Sequence, residues 1–372
     1  LPITEDLARR DFTINAIAFA YTQGKLIDPF TGVADISKKI IRAVGDPAKR
    51  FAEDYSRILR AVRLAVTLDF KIESSTWREL KKVCQKIVEP KDYQGKKEQT
   101  VPWETIAKEF LLAFDNNPTK TILLYQESGL LDVVLPEGKA LEGVAQPAEF
   151  HAEGDVFVHT MMALRKLKKS APLSLKLAVL LHDIGKPQTQ QLPGVSGVER
   201  IRFNKHDIVG ATLARQILAR LKTTSRLQDK VFWLVKNHML FVYGNVEEMR
   251  AQTIRKYFLD DVERGRELLE LYRVDVAASV GPGLLKNIAN YKRVKEYVDD
   301  AVGAFEKADL AGSNFGHLLS GQDIMQAFSL ASGPAIGKYL NIAKEYVIDY
   351  LATNDKEPSK KEILDYLQSK IK

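Results

Sequence analysis

The chain has 372 residues, 45% of them hydrophobic and 28% charged, which is the composition of a folded globular protein and excludes a disordered one. A formal net charge of +7 is compatible with RNA or DNA as a partner but does not establish one. The single cysteine, Cys84, excludes an internal disulfide framework and favours the cytoplasm, and no apolar run approaches the ~20 residues of a membrane span, so we expect no membrane association.

The first 45 residues alternate short strand-like runs, INAIAFAY and GKLIDPF, with turns, and they predict the edge of a small sheet. At Asp46 the pattern changes to helix, with Asp46 suited to be the N-cap and Pro47 the first helical residue. Apolar residues then follow at helical spacing as far as Phe70. The lysine-rich residues 89–102 predict a connector, and helical patterns resume at Trp103–Phe114 and in TILLYQESGLLDVVLPE.

Residues 150–280 predict a block of helices with one interruption, PQTQQLPGVSGVERIRF, which indicates a hairpin or loop. From about residue 285 to the C-terminus, helices alternate with the tight turn SGPAIG. The length favours two to four domains. The sequence therefore predicts a mainly α, multi-domain chain with a small β segment at its N-terminus, and it does not indicate an oligomeric state.

Five of the six histidines lie between residues 151 and 238, and two of them directly precede an aspartate. His182-Asp183 ends the apolar helix LSLKLAVLLHDIGKP, for which Gly185 and Pro187 are stop signals. Burying these two polar groups is costly unless something neutralises them. A lone histidine here would be read as a satisfied core residue, but five histidines on neighbouring helices favour a metal site. The five are His151, His159, His182, His206 and His238.

This pattern resembles the HD phosphohydrolase superfamily, which has an early His, the His-Asp doublet and a late Asp. The late Asp here is Asp275, in LLELYRVDVAAS, although Asp260 and Asp261 lie nearby. The resemblance implies a metal that activates water for attack on a phosphoester. The implied metal ligands are His159, His182, Asp183 and Asp275, with His206 and His238 for a possible second metal. The implied catalytic residues are Asp183, His206 and Asp207. The metal itself stays open among Mn²⁺, Ni²⁺, Co²⁺, Mg²⁺ and Zn²⁺.

Two segments nearer the N-terminus are rich in arginine. In RRDFTINAIA (Arg9–Ala18) the paired arginines are suited to bind phosphate groups, and Asp11 would orient one of the two arginines. The alternative is that these residues form a surface salt bridge. In RFAEDYSRILRAVRLA, polar residues recur every third position on an otherwise apolar helix and predict one stripe. An acid beside an arginine offers an acceptor and donors to a nucleobase edge, and a solvated helix face is the alternative. The stripe consists of Asp54, Arg57, Arg60 and Arg63.

Together these segments resemble the bacterial-type (class II) CCA-adding tRNA nucleotidyltransferase and poly(A) polymerase family. The resemblance continues through ETIAKEFLLAF, YQESGLLDVVLPE, FHAEGDVFVHT and LSGQDIMQAFSLASGPAIGKYL, and so covers essentially the whole chain. The HD segment is similar to the CCA-adding branch. The resemblance implies four parts: a remnant of the nucleotidyltransferase head (1–45), a helical neck that reads the nucleobase (46–140), an HD domain (141–285) and a helical tail that binds tRNA (286–372).

The resemblance also implies CTP and ATP as substrates, tRNA as partner and Mg²⁺ in the polymerase head. Asp28 to Gly32 would belong to the element that switches from C to A addition. The turn Gly333–Gly337 would contact tRNA phosphates through the free amides of a helix N-terminus. The implied nucleotide-binding residues are Arg9, Arg10, Asp11, Asn15, Asp54, Arg57 and Arg60.

One departure from the family pattern concerns the polymerase chemistry. The family places a Gly-Ser loop and an Asp-x-Asp pair, which hold two Mg²⁺ ions, ahead of the RRDFTINA motif. No Asp-x-Asp precedes Arg9 here, so we expect these residues to be a fragment that does not polymerise without its catalytic head. Two other hypotheses stay open: a free-standing HD phosphohydrolase, and a non-catalytic tRNA-binding module.

Overall fold

A computed structural model describes residues 2–93, 96–147, 149, 152–195, 197–241, 251–312, 315–354 and 356–370. Over these residues the chain is mainly helical, which confirms the predicted fold class. The helices are α1 (Ile3–Ala8), α2 (Gly32–Lys38), α3 (Pro47–Glu53), α4 (Ser56–Thr67), α5 (Ser74–Val83), α6 (Trp103–Asn116), α7 (Pro118–Ser128), α8 (Leu130–Val134), α9 (Pro136–Lys139), α10 (Val156–Arg165), α11 (Leu173–Leu181), α12 (Lys186–Thr189), α13 (His206–Arg220), α14 (Ser225–Asn237), α15 (Ala251–Ile254), α16 (Val262–Ala278), α17 (Leu284–Gly312), α18 (Gly321–Phe328), α19 (Pro334–Asn354) and α20 (Lys360–Lys370). A π-helical turn, Arg255–Leu259, follows α15, and 3-10 turns cover Thr13–Asn15, Tyr21–Gln23, Cys84–Ile87 and Phe315–His317.

The strands are short and pair two by two within the described part of the chain. They are β1 (Ala18–Ala20) with β2 (Lys25–Ile27), β3 (Ile40–Ile41) with β4 (Lys71–Ile72), β5 (Pro90–Tyr93) with β6 (Lys96–Gln99), and β7 (Gln190–Gln191) with β8 (Arg202–Phe203). Only the β3–β4 pair is parallel. The β1–β2 pair confirms a small sheet near the N-terminus, and β7–β8 confirms the hairpin that interrupts the helical block. Residues 89–102 connect the turn Cys84–Ile87 to α6 as predicted, and they contain the β5–β6 hairpin, which the sequence did not predict.

The predicted helix that starts at Asp46 is in fact two helices. Asp46 accepts a hydrogen bond from the Ala48 amide (3.0 Å) and Pro47 is the first helical residue, as expected. Asp54 then takes up an extended conformation between α3 and α4, and its carboxylate accepts a hydrogen bond from the Ser56 amide (2.9 Å). Asp54 therefore does not share a helix face with the arginines of α4, so the predicted four-residue stripe was wrong at this position.

Aromatic and aliphatic side chains of α4, α6 and α7 form the core of the first helical layer. Ile58 and Val62 of α4 are fully buried. Phe110 of α6 stacks on Phe114 with ring centroids 5.5 Å apart, and it meets Tyr125 of α7 edge to face at 5.3 Å. These contacts give α4 a rigid support, and α4 carries the arginines predicted to read the nucleobase.

Helix α11 is buried on all sides, because every residue from Leu173 to Leu181 except the first is shielded from solvent. Such a helix needs neighbours all round, and α10, α13 and α14 pack against it. Asp155 caps α10 through the Val158 amide (2.8 Å), and Thr224 caps α14 through the Leu227 amide (3.4 Å). These caps fix the first residues of α10 and α14, the helices that position His159 and His238.

The chain divides into two compact units. One comprises Leu1–His238 with Arg273–Leu284, and the other comprises Met239–Tyr272 with Leu285–Lys372. The core of the second unit is built from apolar residues of α18, α19 and α20, among them Ile324, Val347 and Ile363. The division into a head remnant, neck, HD domain and tail stays a prediction. Among the described residues, no helix combines the length and apolarity needed to cross a membrane.

Candidate metal centre and nucleotide-binding segment

Residues of the first unit that lie on or next to five helices meet around His182 and Asp183. His159 lies within α10, His182 follows the last residue of α11, and His206 begins α13. His238 follows α14, and Asp275 lies near the C-terminal end of α16. All four imidazoles are buried. The packing of these helices brings the residues together although 116 positions separate His159 from Asp275.

The Nδ1 atom of each histidine lies within hydrogen-bond distance of an oxygen atom on the side of the ring away from Asp183 and Asp275. In three of them the acceptor is the backbone carbonyl three residues earlier, which can only accept, so Nδ1 carries a hydrogen and Nε2 is the nitrogen left for a metal. These bonds are His182 to Val179 (2.8 Å), His206 to Phe203 (2.8 Å) and His238 to Val235 (2.6 Å). The fourth, His159, has its Nδ1 2.7 Å from Oε1 of Glu153. All four Nε2 atoms therefore turn toward the aspartates.

The Nε2 atoms surround the carboxylate of Asp183. His182 Nε2 lies 3.2 Å from Oδ2, while His206 Nε2 and His238 Nε2 lie 3.5 and 3.9 Å from Oδ1. Asp275 Oδ1 lies 2.9 Å from His159 Nε2 and 3.7 Å from His182 Nε2. Two sets of donors have the spacing of metal ligands: His159, His182 and Asp183, and Asp183, His206 and His238. Asp183 belongs to both sets.

Two observations show that these donors fit divalent metal ions. The buried Nε2 of His182 makes no hydrogen bond of good geometry although Asp183 Oδ2 is 3.2 Å away, and a metal bound by both groups would satisfy it. The Nε2 atoms of His206 and His238 face each other at 3.2 Å, and with both Nδ1 atoms donating, two lone pairs oppose each other unless a cation lies beside them. Imidazole nitrogens mixed with carboxylate oxygens suit Mn²⁺, Co²⁺, Ni²⁺ or Zn²⁺.

The electrostatics divide the histidines into two pairs. Burial alone would lower the pKa of His159, but hydrogen bonds to Asp275 and Glu153 outweigh it and raise the pKa to about 9. The pKa of His182 is also raised, because the charge of Asp183 outweighs burial. Burial and the neighbouring His206 instead lower the pKa of His238 to about 3. Burial also lowers the pKa of His206, so this pair is ready to bind metal as neutral imidazoles.

A buried lysine lies beside the shared carboxylate. Nζ of Lys186 is 2.7 Å from Asp183 Oδ2 and donates a hydrogen bond of 2.7 Å to Oε1 of Gln146. Burial would raise the pKa of Asp183, but the charges of His182 and Lys186 outweigh it and hold the pKa well below its usual range. Asp183 is therefore ionised at neutral pH, the state in which a carboxylate can bind a metal ion.

The two arginine-rich segments meet at a second place in the same unit. Asp11 accepts hydrogen bonds from the Phe12 amide (2.8 Å) and Asn15 Nδ2 (3.0 Å), and it forms an ion pair with Arg60 of α4. Arg57 donates to the carbonyl oxygen of Arg9 (3.1 Å). These bonds join motifs that are almost fifty residues apart in the chain.

Other arginines of these segments have carboxylate partners. Arg10, which is exposed, pairs with Asp6 at 2.8 Å. Arg57 also pairs with Glu53 at 2.7 Å, and Arg63 pairs with Glu109 of α6. The three arginines of α4 are thus paired with three different carboxylates and do not form one continuous polar face. The pairs are Arg57 with Glu53, Arg60 with Asp11, and Arg63 with Glu109.

Comparison with known proteins identifies the family. The A-adding tRNA nucleotidyltransferase of Deinococcus radiodurans is 33% identical over 349 residues, which are 92% of this chain and 75% of that protein.

The chain belongs to the tRNA nucleotidyltransferase family.

Two family models match parts of this nucleotidyltransferase: the poly A polymerase head domain at residues 2–42 and the HD domain at residues 156–270. The multifunctional CCA protein of Neisseria gonorrhoeae is 37% identical over 68% of this chain, and the match spans 57% of that protein. Solved structures show the same fold. One is the Bacillus stearothermophilus CCA-adding enzyme with CTP (TM-score 0.55, 19% identity, 99% of this chain and 74% of that one). Another is the Thermotoga maritima CCA-adding enzyme with tRNA (TM-score 0.51, 18% identity, 100% and 74%).

Within this nucleotidyltransferase, the predicted metal ligands all lie in one cluster, including Asp275, which falls beyond the matched HD range. Asp207 lies in the first turn of α13 and belongs to neither ligand set; its catalytic role stays a prediction. His151 lies outside the described residues. Asp28 caps α2 through the amides of Gly32 and Val33 (2.7 and 2.9 Å).

Sequence reasoning missed three residues of the candidate metal centre whose side chains are buried: Glu153, Lys186 and Gln146. Lys186 follows the His-Asp doublet by only three positions, and this spacing on a helical turn was a usable signal. Gln146 and Glu153 lie on the segment before α10 and gave no pattern of their own. Their roles depend on contacts that only the folded chain creates.

Proposed function

We propose that this protein transfers nucleotides from ATP and CTP to the 3′ end of tRNA. The observation that carries the proposal is the match to an A-adding tRNA nucleotidyltransferase over 92% of the chain. The curated relatives include both an A-adding enzyme and multifunctional CCA proteins. The choice between adding A alone and adding C, C and A is therefore the first thing that an assay should decide.

The arginine segments support a nucleotide-binding role. Arg9 and Asp54 are exposed, and the bond from Arg57 to the Arg9 carbonyl links the two segments. In this proposal the Arg9 guanidinium would contact phosphate, and the Asp54 carboxylate, which uses one oxygen to cap α4, would present the other to a base. Arg57 would hold the two motifs in register, since its guanidinium already binds two backbone carbonyls and Glu53.

The test is nucleotide addition to three transcripts of one tRNA that end before C74, after C75, and after A76. The chain is assayed with Mg²⁺, both alone and joined to any coding sequence found upstream of Leu1. We expect addition to at least one transcript that lacks A76. Lack of addition to every transcript in both cases would contradict the proposal. Salt-dependent tRNA binding without addition would favour the non-catalytic module instead.

A second candidate activity rests on the buried His/Asp cluster, which we propose is a metal-dependent phosphohydrolase site. His159, His182, Asp183 and Asp275 would hold one metal, and Asp183 would share a second with His206 and His238. A bound metal would supply a water whose lowered pKa makes it a nucleophile at neutral pH. The Lys186 ammonium, 2.7 Å from Asp183, would keep that carboxylate ionised for metal binding.

This activity is tested with a phosphomonoester, a phosphodiester and a 2′,3′-cyclic nucleotide in the presence of Mn²⁺, Co²⁺ or Ni²⁺. We expect hydrolysis of at least one of them, abolished by Asp183→Ala. The matched control is Asp132→Ala, which changes an exposed carboxylate of α8 and should leave hydrolysis unchanged. Hydrolysis that survives Asp183→Ala would contradict the assigned site.

A further inference from the structure

A buried glutamate, Glu153, lies behind the proposed metal centre. Its side chain is only 1% exposed. Oε1 is 2.7 Å from Nδ1 of His159, and Oε2 accepts a hydrogen bond of 2.7 Å from the backbone amide of Val280. A buried carboxylate is costly unless its oxygens are satisfied, and here each oxygen has its own donor.

The loop that carries Glu153 is fixed from both sides. The Ala152 amide donates to the Val280 carbonyl (2.6 Å), so residues 152 and 153 both bind residue 280. Asp155 caps α10 and accepts a further hydrogen bond from the Gly143 amide (2.7 Å). Glu153 therefore has little freedom to move, and its position determines that of the groups it binds.

Val280 follows the proposed ligand Asp275 by five residues and lies two positions after the last residue of α16. The Ser279 amide donates to the Asp275 carbonyl (3.2 Å), so the helix continues up to this point. Through one carboxylate, Glu153 thus connects the imidazole of His159 with the segment that carries Asp275. These two ligands lie 2.9 Å apart, Nε2 to Oδ1.

We infer that Glu153 is a positioning residue of the metal centre, which keeps the hydrogen of His159 on Nδ1 and fixes the end of α16 beside it. The inference rests on the proposed metal-dependent hydrolase. Glu153 binds the outer nitrogen of His159, so it acts on a metal only through that ring. Carboxylates that bind the outer nitrogen of a histidine ligand orient the ring and raise its basicity.

The role requires a carboxylate. The Nδ1 atom of His159 and the Val280 amide each present an N–H to Glu153, and a carboxylate offers one acceptor oxygen to each. The amide of a glutamine has a single acceptor oxygen, so Glu153→Gln keeps the size of the side chain but loses one of the two bonds. Glu149→Gln is the matched control, because Glu149 is an acid of the same segment whose side chain is 72% exposed.

The test is titration of the metal-free full chain with Mn²⁺, with free Mn²⁺ measured by electron paramagnetic resonance. We expect Glu153→Gln to weaken the binding of one Mn²⁺ by about 10- to 100-fold, whereas Glu149→Gln binds like the wild type. Wild-type Mn²⁺ affinity in a folded Glu153→Gln protein would overturn the inference while leaving the proposed hydrolase intact. A wild-type protein that binds no divalent metal would overturn both.

A second measurement needs no variant, in case Glu153→Gln does not fold. Ring ¹⁵N chemical shifts of the wild-type chain loaded with Zn²⁺ report which nitrogen of each histidine carries the hydrogen. We expect the His159 signal to show Nδ1 protonated and Nε2 bound to metal. A signal with Nε2 protonated, or with Nδ1 bound to metal, would overturn the inference.

Discussion

Gly185, two residues after Asp183, gives the sharpest prediction about the packing of the metal centre. Its backbone is in the right-handed region (φ −83°, ψ −13°), so alanine would adopt the conformation without strain. A Cβ at this position would, however, lie 2.3 Å from the carbonyl oxygen of His206 and 2.6 Å from the amide nitrogen of Gly210. Both obstacles are backbone atoms of α13, so neither can turn away as a side chain would.

The size of the effect of Gly185→Ala follows from these distances. Ordinary contact begins near 3.4 Å, so α13 must move away by roughly 1 Å. Overpacking of this kind costs about 1–3 kcal/mol, and we take the upper end because the opposing atoms are backbone. Alanine also lowers the conformational entropy of the unfolded chain, which stabilises the folded state by about 0.4–1 kcal/mol and offsets part of this cost. The free energy of unfolding should fall by about 2 kcal/mol, or roughly 4–8 °C in melting temperature.

The same displacement moves His206, whose Nε2 lies 3.5 Å from Asp183 Oδ1, so Gly185→Ala should also weaken metal binding. Thermal unfolding by circular dichroism and Mn²⁺ titration measure the two effects. Gly303→Ala is the control, because Gly303 lies within α17 and a Cβ there meets no atom within 4 Å; it should stabilise by about 0.5–1 kcal/mol. A Gly185→Ala protein with wild-type melting temperature and metal affinity would refute the reasoning.

Three further predictions concern pH, an ion pair and metal removal. Burial alone would raise the pKa of Glu73, but hydrogen bonds from Ser75 and Thr76 outweigh it and lower the pKa to about 2. Stability from this group is therefore present above its unfolded pKa of about 4.3 and is lost as the pH falls toward 2; urea unfolding at several pH values should show a flatter profile for Glu73→Gln, and an unchanged slope would contradict this. Arg63 and Glu109 are mostly buried partners, so Arg63→Met alone should cost about 3–5 kcal/mol and the double change Arg63→Met/Glu109→Gln should cost less; equal or larger loss in the double variant would count against the pair. Removing bound metal with EDTA should lower the free energy of unfolding by about 2.7 kcal/mol if the free metal concentration had been 100 times Kd. If EDTA leaves the melting temperature of metal-loaded protein unchanged, the ions do not bind at this cluster.

Part of the candidate metal centre was predictable because His182 and Asp183 follow a helix whose end the sequence marks. The apolar run before His182 and the stop signals Gly185 and Pro187 indicate where α11 ends, and the structure ends it there. Asp275 could be chosen over Asp260 and Asp261 only by resemblance. The geometry supports the choice, since Asp275 lies 2.9 Å from His159.

Other features could not be read from the sequence for physical reasons. The β5–β6 hairpin is built from charged residues without an apolar alternation, so neither strand has the usual signal. The break before α4 arises because Asp54 caps that helix, a local competition that helical periodicity hides. The partner of Arg60 is Asp11, and nothing in the neighbourhood of either residue indicates a pairing over 49 positions.

Anomalous X-ray scattering from crystals soaked in MnCl₂ would test the metal centre most directly. Two peaks are expected on either side of the Asp183 carboxylate, one beside His159 and His182 and the other beside His206 and His238. Crystals of Asp183→Ala should show neither peak. Full-occupancy Mn²⁺ elsewhere in the chain with none at Asp183, or two peaks that persist in Asp183→Ala, would contradict the assignment.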